Sequence, residues 1–273
     1  MQIGFGPNLV LRTVARTEFA GGFEMAGHSK WANIKHRKAR QDAVKGRAWS
    51  KASRAIMAAV KQGDPDPDTN LKLRYAIEDA KSVNMPKDTI KKAIDKASGE
   101  GNDGATYQDI RYEGYAAGGV AIIVDCLTEN VQRTAPIVRH AFEKHGGNLA
   151  KTGAVSFGFH TKGVILIEDG KTTEEQLMEI ALEAGAEDIV EQGGGFEVTT
   201  DVASFIAVKD AIDGAAIDTV SAEVTMIPDT TVTCDGTLAS KVLKLIDVIE
   251  ECDDVQKVYT NADISEEVMA SLE

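Results

Sequence analysis

Nine lysines and arginines crowd into residues 25–54, namely Lys30, Lys35, Arg37, Lys38, Arg40, Lys45, Arg47, Lys51 and Arg54, against one acid, Asp42. The chemistry open to such a set is neutralisation of phosphates along a polyanion. The 273-residue chain as a whole has a formal net charge of −13, so the block is a local reversal of sign. Concentrated like charge repels itself, and holding it in one segment costs stability unless a polyanion offsets the repulsion. A charge run can also be no more than a solvated face. Against that bland reading stand Trp31 and Trp49, the only two tryptophans, on either side of the densest cations. A π surface beside Arg and Lys can stack on unpaired bases at about 1–3 kcal/mol per base. Trp49, Ala52, Ser53, Ile56, Met57 and Val60 follow helical spacing, which makes Trp49 the first core residue of a helix and leaves Trp31 as the base contact. If residues 30–47 coil as a helix, their cations fall on every side of it. The candidate nucleic-acid contacts are therefore His28, Ser29, Lys30, Trp31, Lys35, His36, Arg37, Lys38, Arg40, Lys45, Arg47, Lys51 and Arg54.

Other patterns fall short of a site. Asp64, Asp66, Asp68 and Asn70 imitate the start of a calcium loop, but Thr69 and Tyr75 stand where that loop needs glycine and glutamate. Gly146, Gly147, Lys151 and Thr152 evoke a phosphate-cradling loop, yet Ala150 replaces the glycine before the lysine. That segment also leaves a helix instead of entering one, so helix N-terminal amides are not offered. His28, His36, His140, His145 and His160 have no zinc spacing, and no serine or cysteine has a recognisable nucleophile elbow. No catalytic residue, metal or cofactor is expected. Cys126, Cys234 and Cys252 are odd in number and far apart, which reads as reduced thiols in a cytoplasmic protein. No run reaches the ~18 apolar residues of a membrane span. One glycine-rich stretch carries two readings. Tyr112, Tyr115, Gly118 and Gly119 belong either to a hairpin turn needing positive φ or to a mobile, aromatic-bearing loop presented to a large partner.

The elements that must position these residues follow from periodicity and punctuation. Residues 1–24 fit neither a signal nor a transit peptide and are expected to be a poorly ordered extension ahead of Met25. Residues 25–97 hold 17 basic and 8 acidic residues, whereas residues 98–273 hold 11 and 33. The change of sign coincides with SGEGNDGAT, residues 98–106, a linker composition. The basic part reads as three short amphipathic helices: one from Trp49, one through Leu73, Ala76, Ile77 and Ala80, and one opening at Asn84-Met85-Pro86. In the acidic part the spacing predicts strands at 120–127 and 154–160, with a helix between them opening at Thr134 with Pro136 in its first turn. A second unit of β-α-β-β-α-β order follows at 163–227, its first helix capped by Thr172 and Glu175 and its second helix at 202–211. A strand at 230–234, a helix through Leu238, Val242, Leu245 and Ile249, and a strand at 255–260 supply what the first unit lacks. The expected fold is α+β: an N-terminal three-helix domain, then two ferredoxin-like domains, the second (163–227) inserted in the first (107–162 plus 228–273).

The segments AGHSKWANIKHRK (26–38), NMPKDTI (84–90), YEGYAAGGVAIIVD (112–125) and VRHAFEKHGGNL (138–149) resemble the YebC/PmpR family, which includes the mitochondrial translational activator of cytochrome c oxidase. The resemblance runs from Met25 to the end and supports Met25 as the start. It departs at Ala116-Ala117, where the family commonly has Gly-Pro. It implies three domains, one helical and two α+β, and no enzymatic activity. Family members have been described as DNA-binding transcriptional regulators and as ribosome-associated translation factors that help proline runs through. The residues favour ribosomal RNA as partner, since a cationic segment with an aromatic suits irregular, unpaired RNA. Duplex DNA comes second, because no helix-turn-helix is evident and the acidic remainder repels a long duplex. A protein-interaction scaffold is the third reading. Neither a membrane nor a small-molecule substrate is expected as partner.

Overall fold

The computed structural model describes residues 45–99, 106–191 and 194–272. The extension at 1–24 and most of the cationic block lie outside the described residues. Three helices open the described chain: α1 (Lys45–Gln62), α2 (Leu71–Ser82) and α3 (Lys87–Ser98). Their apolar rows, Ile56, Ala59 and Val60, Leu73, Ala76 and Ala80, and Ile90, Ala93 and Ala97, close on one core with Met85. Asn70 caps α2 by accepting from the Leu73 amide at 3.0 Å. Its Nδ2 donates to the Ala59 and Asp64 carbonyls at 2.9 and 2.7 Å. The Asp64 and Asp66 carboxylates accept from the Asp66 and Asp68 amides, so this acid-rich turn works as local scaffolding.

The remainder runs β1 (Gln108–Tyr115), β2 (Ala121–Thr128), α4 (Val131–Lys144), β3 (Asn148–Leu149), β4 (Phe159–Glu168), α5 (Glu174–Leu177) with a π-helical turn at Met178–Leu182, β5 (Ala186–Glu191), β6 (Gly195–Thr200), α6 (Phe205–Gly214), β7 (Thr219–Pro228), β8 (Val232–Thr233), α7 (Gly236–Glu250), β9 (Val255–Thr260), β10 (Ala262–Asp263) and α8 (Glu266–Leu272). The fold is α+β, and its strands form two four-stranded antiparallel sheets. β4 to β7 make one sheet in the order β5-β6-β4-β7, the ferredoxin-like arrangement, with Leu177, Ala181, Phe205, Val208 and Ile212 of its helices on Ile165, Ile167 and Val198. Chain on both sides of this unit builds the other sheet, β3-β1-β2-β9, over which α4 and α7 pack Val138, Phe142, Val242, Leu245 and Ile249.

Several expectations shift. Residues 154–160 are not a strand of the first unit. Ser156–Gly158 is a 3-10 turn, and β4 starts at Phe159 and continues unbroken through the residues assigned to a fresh unit. The strand at 230–234 does not join the first sheet, because β8 pairs in parallel with β10. Its place beside β2 is filled by β1, so the first sheet has the ferredoxin strand order with its third strand moved to the front of the chain. Helix α4 opens at Val131 on the Asn130 cap, which puts Pro136 inside the helix. Thr173, not Thr172, caps α5, and α6 opens at Phe205.

All three units meet at Lys257 on β9. Its Nζ reaches Asp79 of α2 at 2.9 Å, the Val224 carbonyl of β7 at 3.1 Å and Glu223 at 3.8 Å. Burial pushes this ammonium pKa down, but the Asp79 and Glu223 carboxylates outweigh it and hold it above the ordinary lysine value. Lys257 continues a cross-strand row with Asp125 and Arg111, whose guanidinium makes a two-pronged pair with Asp125 at 2.7 Å on each arm. Helix α2 lies against both sheets. Lys72 pairs with Asp109 of β1 at 2.6 Å, and Tyr75 donates its hydroxyl to the Val202 carbonyl at 2.6 Å, its ring 6.3 Å from that of Phe205.

Glu113, buried on β1, fixes the crossing from the first sheet to the second. One carboxylate oxygen accepts from the Gly153 amide at 2.8 Å and the Ser156 hydroxyl at 3.0 Å; the other accepts from the Val155 and Ser156 amides at 2.7 and 2.9 Å. Burial raises its pKa, but these donors outweigh burial and hold the carboxyl below its ordinary range.

Replacing Lys257 by Met removes the ammonium that Asp79, Glu223 and the Val224 carbonyl share and should lower stability by about 3 kcal/mol at neutral pH. Urea unfolding followed by circular dichroism measures it; a loss under about 0.5 kcal/mol would show that the ammonium does not hold the junction. Glu113→Gln should cost about 2 kcal/mol at pH 7. Because the folded carboxyl titrates below its ordinary value, that contribution is present above the ordinary range and fades as pH falls through the lowered value. The gap between wild type and variant should therefore close on acidification, and a gap independent of pH would contradict the charged clamp.

Candidate nucleic-acid interface

Helix α1 begins at Lys45, so His28, Ser29, Lys30, Trp31, Lys35, His36, Arg37, Lys38 and Arg40 lie outside the described residues. Of the remaining candidates, Arg47 is exposed near the start of α1. Lys51 and Arg54, one turn apart on the same helix, point the other way. Lys51 donates to the Glu250 carbonyl at 2.7 Å, and Arg54 donates to the Asp253 carbonyl. The Glu250 carbonyl belongs to the last turn of α7 and that of Asp253 lies just beyond it, where carbonyls without helical partners and the negative end of the helix dipole attract cations. Burial pushes the Lys51 pKa below its ordinary value, with Glu250 opposing. Arg54 also stands 3.8 Å from the buried carboxylate of Asp254. That carboxylate accepts from Arg133 at 2.8 Å, the Thr134 hydroxyl at 2.7 Å and the Thr128 hydroxyl at 3.2 Å. Burial raises its pKa, yet Arg133, Thr134 and Thr128 together hold it below the usual carboxylate range. Read from charge as phosphate contacts, Lys51 and Arg54 dock the helical unit onto the body. Trp49 keeps its expected core place, packed on the three-helix core with its indole N–H donating to the Val83 carbonyl at 3.1 Å.

A cationic face that the sequence reading did not single out lies on α3. Lys87, Lys91, Lys92 and Lys96 are all exposed, and none forms an ion pair with a described residue. Their i, i+4 spacings, 87 to 91 and 92 to 96, are legible in the sequence, although the preceding block carries the denser charge. Across residues 45–99 there are twelve Lys or Arg and seven acids. The outer face of α3 carries no Arg, Asn or Gln, so it offers point charges for phosphates in place of planar, forked donors.

The candidate partner loop is not a loop at its aromatic end. Tyr112 and Tyr115 are residues of β1, half-buried against the two cores that flank the first sheet, and the Tyr115 hydroxyl donates to the Ala154 carbonyl at 3.0 Å. Only the turn after them matches, with Gly118 at φ 72° and Gly119 at φ 75°. A Cβ on Gly118 would come within 2.8 Å of Leu238, so the left-handed conformation and the close approach to α7 both require glycine there. The hairpin-turn reading holds, because β1 pairs with β2 from Gln108↔Thr128 to Tyr115↔Ala121.

Between α1, α2 and the β1-β2-β9 face lies a cleft of about 720 Å³. Its walls carry both signs, and Lys72, Arg111 and Lys257 are already paired with Asp109, Asp125 and Asp79. It offers no net positive surface to a polyanion. Among the described residues no cluster of His, Cys, Asp or Glu could hold a metal ion, and no helix is long and apolar enough to cross a membrane. Cys126, Cys234 and Cys252 are free thiols; burial pushes Cys126 up to about 12, which keeps it protonated and unreactive.

Comparison with known proteins matches residues 29–100 to the TACO1/YebC protein N-terminal domain and residues 107–262 to the TACO1/YebC second and third domain. A "Probable transcriptional regulatory protein" of Idiomarina loihiensis is 50% identical over 250 residues, covering 91% of this chain and all of its own. One of the same description from Pseudomonas paraeruginosa is 52% identical over 249 residues, again covering 91% of this chain and all of its own. The crystal structure of a conserved hypothetical protein from Aquifex aeolicus superposes with a TM-score of 0.73 at 42% identity, over 87% of this chain and 98% of that one. A helical unit with an outward cationic face, joined to two α+β units and matched along the full length of its relatives, therefore has a settled lineage: the chain belongs to the TACO1/YebC family.

Proposed function

We propose that this protein is a non-enzymatic, nucleic-acid-binding regulator of gene expression that works as a ribosome-associated translation factor, assisting difficult sequences such as proline runs. One observation carries the nucleic-acid reading. Residues 25–97 hold 17 basic and 8 acidic residues, while the part beyond residue 97 has 11 basic and 33 acidic residues. A polyanion is drawn to one end of the molecule and repelled by the rest. The contacts are Arg47, the cations of residues 30–40 and the four lysines of α3, acting as positioning charges on phosphates. His28 and Trp31 insert among unpaired bases. The family resemblance supplies the ribosome and the proline runs.

The relatives' names favour a second reading, transcriptional regulation through duplex DNA. The composition of α3 weighs against it, since its lysines act as point charges on phosphates. A sequence-independent, shape-following contact suits ribosomal RNA.

Sedimentation of cell lysate through sucrose gradients at moderate and high salt separates the two. The intact protein should co-migrate with ribosomes in a salt-sensitive manner, and replacing Lys35, Arg37, Lys38 and Arg40 by Ala should abolish this. Changing Lys87, Lys91, Lys92 and Lys96 to Gln should weaken binding across all RNA sequences alike. If about six phosphates are engaged on single strands, log K falls with log salt at a slope near −4, and each lost contact removes about 0.7. Absence from ribosomal fractions, with retention on chromosomal DNA, would favour the regulator of transcription.

A further inference from the structure

The segment joining β3 to β4 is held more tightly than a connection of its length requires. The Ala154 amide donates to the Lys151 carbonyl at 3.0 Å and the Gly158 amide to the Val155 carbonyl at 3.1 Å, closing two successive turns. The Glu113 carboxylate clamps the Gly153, Val155 and Ser156 amides, and the Ala150 amide bonds the Glu113 carbonyl at 2.8 Å. Tyr115 holds the Ala154 carbonyl from below, and the Asp229 amide holds that of Gly158 at 2.9 Å. Val155 and Phe159 on either side are buried in the core between the two sheets. From this fixed backbone Phe157 projects 80% exposed, against 51% for Leu71, the next most exposed large apolar side chain among the described residues. A lone exposed apolar residue is ordinary on a loose loop. Here β1, Asp229 and two local turns fix the backbone under an exposed aromatic ring, the arrangement expected of a preorganised contact.

The charge of the neighbouring sequence bears on the partner. Residues 131–162 hold five Lys or Arg, Arg133, Arg139, Lys144, Lys151 and Lys162, and one acid, Glu143, within the otherwise strongly acidic part of the chain. Arg133 and Lys162 are taken by Asp254 and Glu187, which leaves Arg139, Lys144 and Lys151 exposed. Asp229, beside the loop, is engaged by His160 at 2.6 Å. We infer that this clamped loop is a second nucleic-acid contact, in which Phe157 stacks on an unpaired RNA base and Lys151, at the other end of the same clamp, meets a neighbouring phosphate. The inference rests on the RNA reading above and adds a contact on the opposite side of the domain linker. An aromatic face stacks on any base, so the contact is tolerant of sequence and suits a single-stranded stretch.

Fluorescence anisotropy with the full chain tests it, using labelled oligoadenylate and an abasic ribose-phosphate oligomer of the same length. Phe157→Ala should weaken oligoadenylate binding about tenfold, leave abasic binding and the salt slope unchanged, and leave the melting temperature unchanged because the ring is exposed. Phe157→Trp should bind oligoadenylate at least as well as wild type, which separates stacking from any disturbance caused by truncation. Unchanged oligoadenylate affinity in Phe157→Ala overturns the proposal and assigns the ring to a protein partner. An equal loss on both oligomers also overturns it. Wild-type protein that binds neither oligomer removes the RNA reading itself and this contact with it.

Discussion

An ammonium group drawn into the meeting point of three units is the constraint on which the rest of the architecture depends. Lys257 is a strand residue of the first sheet, Asp79 belongs to a helix of the basic unit, and Glu223 and Val224 lie on an edge strand of the inserted unit. Taking a lysine out of water is expensive unless opposite charge and hydrogen-bond acceptors surround it, and here each unit supplies part of that set. No pair of units completes it alone. The apolar contacts around it, Tyr75 on Phe205 and Met226 with Tyr259 in the core between the sheets, add burial but little direction. The polar junction sets the register in which those surfaces meet.

The same logic separates the cations of the helical unit into two groups. Lys51 and Arg54 donate to carbonyls at the end of α7 and are engaged within the molecule. Arg47 and the α3 lysines face water. Net charge over the segment counts them alike, yet only the second group is available to a phosphate. The net acidity of the two α+β units biases a polyanion toward the basic unit. Orientation of the whole particle on its target thus follows from where the acids are as much as from where the bases are.

Much of this was legible in the sequence, for physical reasons that differ by element. The three helices were readable because capping residues, a proline start and apolar rows agree with one another, and the inserted unit was readable because its alternation of periods 2 and 3.6 is uninterrupted. Strand β1 was not, since Asp109, Arg111 and Glu113 break its apolar pattern. Their partners are Lys72, Asp125 and the amides of residues 153–156, which only the fold brings near. Residues 154–160 alternate like a strand because Val155 and Phe159 are both core residues, although the backbone between them turns. The inward role of Lys51 and Arg54 was hidden for the plainest reason: each acceptor lies 199 positions along the chain.

The inserted unit enters through β4 and leaves through β7, and these strands are hydrogen-bonded to each other from Phe159↔Pro228 onward. It is fastened like a double-stranded ribbon, stiff to twisting. The helical unit is fastened by one covalent crossing, so a pull on its cations is resisted by a non-covalent seam: the polar contacts of Lys51, Arg54, Lys72 and Asp79 and the packing of Tyr75 on the core of the inserted unit. Within the molecule this seam is therefore a weaker joint than the one that holds the inserted unit. High ionic strength weakens the grip on the polyanion and, less strongly, the more sheltered seam. The load the protein can transmit is thereby limited at its grip before its joint.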